Sequence, residues 1–143
     1  MTVPHSLDGM WRFLLWGFTP RQQPILDAWL AVVSRWCSQE RRVTAWELPV
    51  VDVASAWERT IVEHAMRSVI RAPEARARTI SIYRPVRDVL RCLGMDRPEV
   101  TVLLVDTLGV IHFRAIGKPD QTAALAARSV LDKLLARVDA RAH

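Results

Sequence analysis

The sequence predicts a single α/β domain with a central mixed sheet of about five strands and helices on both faces. Its 143 residues are enough for one compact core and too few for two. Half of the residues are apolar and 24% are charged, which is a globular balance. Apolar runs of strand length alternate with helical apolar stripes, and this order is typical of a largely parallel sheet.

The first half of the chain supplies two predicted strands and two predicted helices. After a polar leader at residues 1–9, the aromatic and apolar run Trp11–Phe18 predicts a buried strand. Pro24–Cys37 is predicted to be a helix because its apolar residues recur at a helical period and proline is tolerated in a first turn. Val43–Leu48 alternates as a strand does, and a long helix is predicted at about Val53–Arg71.

The second half continues the alternation and ends its sheet in an antiparallel hairpin. Thr79–Tyr83 is a short β-rich run, and Pro85–Leu93 is a predicted helix that Gly94 closes in the usual C-terminal position. Val100–Asp106 is a nearly continuous apolar strand. A turn joins it to Val110–Ala115, so these two strands are predicted to pair.

A final helix follows, with Asp120 predicted as its N-cap. The domain is predicted to span residues 10–138, and the polar residues 139–143 are predicted to form a tail. The apolar residues assigned to the inner face of this helix are Leu125, Val130, Leu131, Leu134, Leu135 and Val138.

The chain is basic, with a net charge of +5, and could attract RNA, anionic lipid or an acidic protein. Of its 20 cationic residues only Lys118 and Lys133 are lysine, and guanidinium groups suit interfacial ion pairs. The densest basic cluster is Arg84, Arg87 and Arg91, which is too sparse to favour nucleic-acid binding. No apolar run has the length of a transmembrane helix, and no secretory signal pattern is present.

The predicted order of elements resembles the thioredoxin-like fold of the redoxin type, a three-layer domain. The segment Val102–Gly117 is similar to that family's strand, Asp-x-x-Gly turn, second strand and closing glycine. Ser81–Gly94 resembles the preceding strand and helix, and Trp11–Cys37 resembles the strand and helix that flank the family's redox site. The resemblance covers about residues 10–138.

The family's redox motif belongs at the junction between the first strand and its helix, where a helix N-terminus lowers a thiol pKa. This sequence has Thr19–Pro24 there and no cysteine. Val100 stands where the family usually has a cis-proline, with Pro98 two residues earlier. Copper-carrying relatives need paired cysteines and a histidine, and that pair is missing. The resemblance therefore implies no catalytic, cofactor-binding or metal-binding residue and no cofactor, and it predicts a pseudo-enzyme rather than an enzyme.

A subgroup with this fold, the mitochondrial ATP-synthase assembly factors, often lacks the redox pair, and the C-terminal half of those proteins is similar to several stretches of this chain. That resemblance implies a soluble or peripheral protein on the matrix side of the mitochondrial inner membrane, which binds other protein subunits. The similar stretches are Trp46–Leu48, Trp57–Arg71, Ile82–Tyr83, Arg87–Leu93, Leu103–Asp106 and Ile111–Arg114.

Two cysteines, Cys37 and Cys92, lie far apart in the sequence and outside any zinc or redox motif. They are predicted to be small apolar core residues rather than a disulfide or reactive thiols. No histidines have the spacing of a metal pair, and His112 is predicted to be a satisfied or exposed imidazole.

Six tryptophans, at positions 11, 16, 29, 36, 46 and 57, are many for a chain of this length. They could form a bulky core around the first strand and helix. Alternatively, some of them could line a protein interface, where Trp and Arg are favoured anchors.

These observations leave three functions open. The first is a non-catalytic accessory subunit or assembly factor of a larger complex, with a mitochondrial respiratory or ATP-synthase complex as the expected one. The second is a divergent thiol oxidoreductase. Thiol exchange requires a thiolate, and Cys37 and Cys92 are the two cysteines of the sequence that could supply it. The third and weakest is an RNA-binding component of a ribonucleoprotein.

Overall fold

The computed structural model describes residues 10–51 and 78–142. The helix predicted at Val53–Arg71 and the leader at residues 1–9 lie outside this part of the chain. A 3-10 turn at Pro20–Gln22 precedes the first of three described α-helices. The strands are β1 (Trp11–Gly17), β2 (Val43–Pro49), β3 (Thr101–Val105) and β4 (Ile111–Ile116), and the helices are α1 (Gln23–Gln39), α2 (Val86–Leu93) and α3 (Gln121–Ala142).

The strands form one mixed sheet in the order β2-β1-β3-β4. β1 pairs in parallel with β2 and antiparallel with β3, and β3 pairs antiparallel with β4. The predicted α/β class and the C-terminal hairpin are therefore confirmed. β1 is an inner strand with all seven residues buried, which explains its almost unbroken aromatic and apolar sequence.

The predicted fifth strand, at residues 79–83, is not a regular strand of this sheet. It meets the outer side of β2 only at two isolated parallel bridges, to Glu47 and to Val50. The N–H groups of Glu47 and Val51 donate to this segment, but Pro49, midway between them, has no N–H to donate. One rung of the ladder is therefore missing, and the sheet of the described residues has four strands rather than about five.

The two faces of the sheet carry separate apolar cores. On one face α1 and α3 pack over alternate strand residues, and Phe13, Trp29 and Leu131 are fully buried there. On the other face Val89 and Leu93 of α2 pack against the remaining strand residues. Helices therefore lie on both faces, as the sequence predicts.

Both predicted helix ends are confirmed. Gly94 follows α2 in the left-handed conformation, with a φ of 67°, and its N–H donates to the carbonyls of Leu90 and Arg91. Asp120 caps α3, because its Oδ1 accepts the N–H of Ala123 at 2.8 Å. These local signals were readable from the sequence because each depends on one residue and its near neighbours.

The inner face of α3 differs from the prediction at Leu125, which is 62% exposed. Nine residues at 100° each place Leu125 opposite Leu134, which is buried against the sheet together with Leu131. The helix runs on to Ala142, beyond the predicted start of the tail. None of the described helices combines the length and apolar content needed to cross a bilayer.

Candidate functional site

The carboxyl end of β1 is where the fold resemblance places a functional site. The chain leaves β1 at Gly17, is extended at Thr19, and makes its 3-10 turn from Pro20 before α1 begins. Thr19, Pro20 and Arg21 are exposed. The redox motif is absent from this junction, as the sequence indicates, and no side chain here can act as a thiol nucleophile.

Gln22 ties the junction to the segment that precedes β3. Its Oε1 accepts the backbone N–H of Phe18 at 2.8 Å, and its Nε2 donates to the carbonyl of Pro98 at 2.6 Å. Both ends of the amide are therefore used. No peptide bond among the described residues is cis, and Val100 is buried as it leads into β3.

The end of β4 meets the same segments through Gly117. Its N–H donates to the carbonyl of Val100 at 2.8 Å, and its carbonyl accepts the indole N–H of Trp29, on α1, at 2.8 Å. A φ of 88° at Gly117 requires glycine. Residues 17–22, 98–100 and 117 are thus joined by hydrogen bonds at one edge of the domain, which we call the junction edge.

A buried carboxyl lies close to the first turn of α1. Glu47, on β2, is 4% exposed. Burial raises the pKa of this carboxyl, the Asp27 carboxylate adds to the rise, and a hydrogen bond from Gln23 opposes it. Glu47 can therefore hold a proton at a higher pH than an exposed glutamate, although the junction offers no thiol with which to exchange it.

The two cysteines lie on helices that pack on opposite faces of the sheet, and both are free. Cys37, on α1, is half-buried, and its burial raises the pKa of the thiol, with Arg78 opposing the rise. Cys92, on α2, is exposed. The prediction of two core residues therefore fails at Cys92, because the last turn of α2 buries Val89 and Leu93 and turns Cys92 outward.

An open groove of about 290 Å³ begins at Gly94, two residues after Cys92. Both signs of charge occur along it, and part of its lining belongs to the junction edge. The groove therefore extends from the end of the helix that carries Cys92 toward β4. Its lining residues are Gly94, Met95, Asp96, Arg97, Glu99, Arg114 and Ile116.

His112 is a satisfied imidazole, as predicted. Its Nε2 lies 3.0 Å from Oδ2 of Asp106, and its ring packs edge-on against Trp11 with centroids 5.4 Å apart. Burial raises the pKa of Asp106, but hydrogen bonds from His112 and from the backbone N–H groups of Val110 and Leu108 outweigh it and lower that pKa overall. Among the residues described, no three potential ligands cluster as a metal site.

The core interpretation holds for three tryptophans. Trp11, Trp16 and Trp29 are buried in the two cores, whereas Trp36 and Trp46 are half-buried. Trp57 lies outside the described residues. Trp36 is half-buried beneath α3, and the Arg128 guanidinium of that helix lies 5.7 Å from the centre of its ring.

Sequence reasoning missed Gln22 and Glu47. Nothing local distinguishes Gln22 from a surface glutamine, because its partner Pro98 is 76 residues away in the chain. Glu47 did carry a signal. It shares the two-residue alternation of Val43 and Ala45, and both of these face the core covered by α1.

Comparisons with known proteins place this fold among thioredoxins. The chain matches the lipoprotein thioredoxin Etrx1 of Streptococcus pneumoniae with a TM-score of 0.55 and 13% identity, over 87% of this chain and 85% of that one. It matches the thioredoxin domain of a Bacteroides vulgatus thiol-disulfide oxidoreductase with a TM-score of 0.51 and 12% identity, over 85% and 80% of the two chains. A Chlorobium tepidum structure described as the thiol:disulfide interchange protein DsbE gives 0.52 and 13%, over 86% and 78%. No family model and no curated protein matches.

These likenesses establish a thioredoxin-like α/β fold, and residues 10–51 and 78–142 contribute a four-stranded mixed sheet and three α-helices to it. They give no support to the resemblance to ATP-synthase assembly factors. They contradict the prediction that the chain is not an enzyme, because the three similar structures are described as a thioredoxin, a thioredoxin domain of a thiol-disulfide oxidoreductase and a thiol:disulfide interchange protein. The reasoning failed because one missing cysteine pair does not exclude thiol chemistry, which needs one accessible thiolate and can use a cysteine elsewhere.

Proposed function

We propose that this chain takes part in thiol–disulfide exchange, with Cys92 as the reactive thiol. The observation that carries the proposal is an exposed cysteine on a thioredoxin-like fold, two residues before the glycine at which an open groove begins. The proposed substrates are proteins that contain a disulfide. The sulfur of Cys92 is exposed, so it can reach a disulfide on another polypeptide.

The reaction is a pair of sulfur exchanges. The Cys92 thiolate attacks one sulfur of a substrate disulfide, a new S–S bond forms, and the other substrate sulfur leaves as a thiolate. A second thiolate, from the substrate or a small-molecule thiol, then attacks the substrate sulfur of the mixed disulfide, forms a new S–S bond to it and releases Cys92 as a thiolate. When the second thiol is glutathione, another glutathione cleaves that bond and leaves reduced substrate and oxidised glutathione. Because Cys37 lies on the opposite face of the sheet, it cannot perform this second step within one molecule.

Cys92 is a better candidate than Cys37 on physical grounds. The desolvation that raises the pKa of Cys37 leaves little thiolate at neutral pH, and half-burial limits access to it. Cys92 lies in the last turn of α2 and is exposed, so the sulfur of a substrate disulfide can reach it.

The groove supplies a place for the polypeptide that flanks the substrate disulfide. Arg97 and Arg114 lie along it together with Asp96 and Glu99, so it can contact backbone and side-chain groups of either sign. Contacts of this kind would hold the disulfide near Cys92 and raise the effective concentration of the reacting sulfurs.

An insulin-reduction assay with glutathione as the second thiol tests the proposal. We expect the wild type and Cys37→Ser to reduce insulin faster than glutathione alone, and Cys92→Ser to fall to the glutathione rate. Equal rates for Cys92→Ser and Cys37→Ser would refute the assignment. Circular dichroism of both variants establishes that each is folded.

A second candidate is a role as an accessory subunit or assembly factor that binds other proteins. The junction after β1 favours this second role, because it carries no thiol and the Gln22 side chain there bonds to the N–H of Phe18 and the carbonyl of Pro98. A mitochondrial location and peripheral association with the inner membrane belong to this second proposal. Affinity purification from the native source, followed by mass spectrometry, should then recover partners at fixed stoichiometry, and a chain that elutes alone would refute it.

A further inference from the structure

β4 is an outer strand of the sheet, so one of its long edges has no strand beside it among the described residues. Such an edge presents unpaired backbone N–H and C=O groups that can pair with another extended chain. What an edge of this kind can bind depends on which backbone groups point outward and which side chains accompany them.

The register identifies the outward-pointing backbone groups. Gly117 lies opposite Val100 and donates its N–H to that carbonyl, so this is a hydrogen-bonded pair. Antiparallel pairs alternate between bonded and non-bonded, so Ile116 and Arg114 point their N–H and C=O groups away from β3. On the far side of the bulge near Leu104, the same alternation turns Ile111 outward.

These three residues also carry the exposed side chains of the strand. Ile111 and Ile116 are each 47% exposed. Arg114 is exposed too, and its Nη1 donates to the carbonyl of Leu93, which leaves other guanidinium donors available. Arg114 forms no ion pair with a described residue, including the groove acids Asp96 and Glu99.

The charge along this edge is positive. Lys118 follows the strand and is exposed, whereas β4 itself contains no acidic residue. Asp106, at the start of the hairpin turn, already accepts hydrogen bonds from His112 and from two backbone N–H groups. A partner that complements the edge therefore supplies negative charge opposite Arg114 and apolar surface opposite the isoleucines.

We propose that the open edge of β4 binds an extended acidic segment of another protein by strand addition. The segment places a glutamate or aspartate opposite Arg114 and an apolar residue two positions away, opposite Ile116. A second copy of this chain does not meet that requirement, because β4 has no carboxylate to offer to Arg114. Arg114 and Ile116 also line the groove assigned to the substrate, but strand addition needs no thiol at Cys92, so binding measured in the Cys92→Ser chain tests it separately.

The test is a titration of the ¹⁵N-labelled full chain with the peptide Thr-Val-Thr-Glu-Thr-Val-Thr, followed by NMR. We expect the amide signals of Arg114 and Ile116 to shift first. A matched peptide with lysine in place of glutamate should bind at least about threefold more weakly, since an exposed ion pair contributes modestly. Arg114→Gln should abolish the difference between the peptides.

Two further variants test the edge without relying on Arg114→Gln, which could lose binding by misfolding. Ile116→Thr should weaken binding of the glutamate peptide, and Leu125→Ser, at an exposed site on α3, should not. Shifts confined to other parts of the molecule, or no shift at millimolar peptide, would overturn the proposal. Concentration-dependent shifts in β4 without peptide, together with dimers in sedimentation, would overturn it in favour of a second copy.

Discussion

Replacing Gly17 with alanine tests how tightly the junction is packed. A Cβ placed on Gly17 would lie 2.6 Å from Cδ1 of Leu26 and 3.5 Å from its Cγ. Leu26 is 3% exposed in the core beneath α1, so its side chain has little room to move away. The close approach of β1 to the first turns of α1 therefore depends on the absence of a side chain at residue 17.

The magnitude follows from two opposing effects. Overpacking of a buried site costs about 1–3 kcal/mol. Removing a glycine from a strand returns about 0.5–1 kcal/mol through the unfolded chain, since alanine has fewer conformations to lose. Gly17→Ala should therefore lower the free energy of unfolding by about 1–2 kcal/mol.

Urea unfolding followed by circular dichroism measures this loss. The matched control is the same substitution in a Leu26→Val background, where the clashing Cδ atoms are gone. There Gly17→Ala should cost much less, and the difference between the two backgrounds gives the coupling energy. A neutral or stabilising Gly17→Ala in the wild type, or equal costs in both backgrounds, would refute the packing argument.

Three other substitutions test the electrostatics and hydrogen bonds of the domain. Glu47→Gln should raise the melting temperature at pH 7. The pKa of Glu47 rises on folding, so the wild type loses stability as the pH increases above the ordinary glutamate pKa of 4.5, and glutamine avoids that loss. The same dependence of melting temperature on pH in wild type and variant would contradict this. The pKa of Asp106 falls on folding, so its carboxylate stabilises the wild type at neutral pH and this contribution is lost as the pH falls below 3.8. In Asp106→Asn the melting temperature should therefore change less with pH in the acid range. Trp29→Phe should cost about 1–3 kcal/mol in urea unfolding, because the carbonyl of Gly117 loses its indole donor.

Much of the fold could be predicted because its signals are local. The apolar run of β1 indicated an inner strand, and the alternation in β2 indicated two faces. The Asp106-x-x-Gly109 turn indicated the hairpin, and Gly109 does adopt a φ of 81°. Each signal depends on backbone geometry or burial period within a few residues, and these constraints act before the rest of the chain is placed.

The features that the sequence did not predict depend on contacts between distant residues or on the absence of a single backbone N–H. The fifth strand is interrupted because Pro49 lacks a single N–H on the side that faces the neighbouring segment. The contact between Gln22 and Pro98 exists only after β1 and β3 have paired. The proposed reactive thiol was missed because the absent cysteine pair directed attention to the junction, whereas the exposure of Cys92 depends on the orientation of α2.

The most direct test of the account is to identify which cysteine carries the substrate during turnover. The wild-type chain is mixed with insulin and glutathione, the reaction is quenched with acid, and peptide mass spectrometry locates the mixed disulfide. We expect insulin sulfur on Cys92 and none on Cys37, at an occupancy that falls as the glutathione concentration rises. Insulin attached through Cys37, or turnover with no insulin adduct on Cys92 at low glutathione, would contradict it.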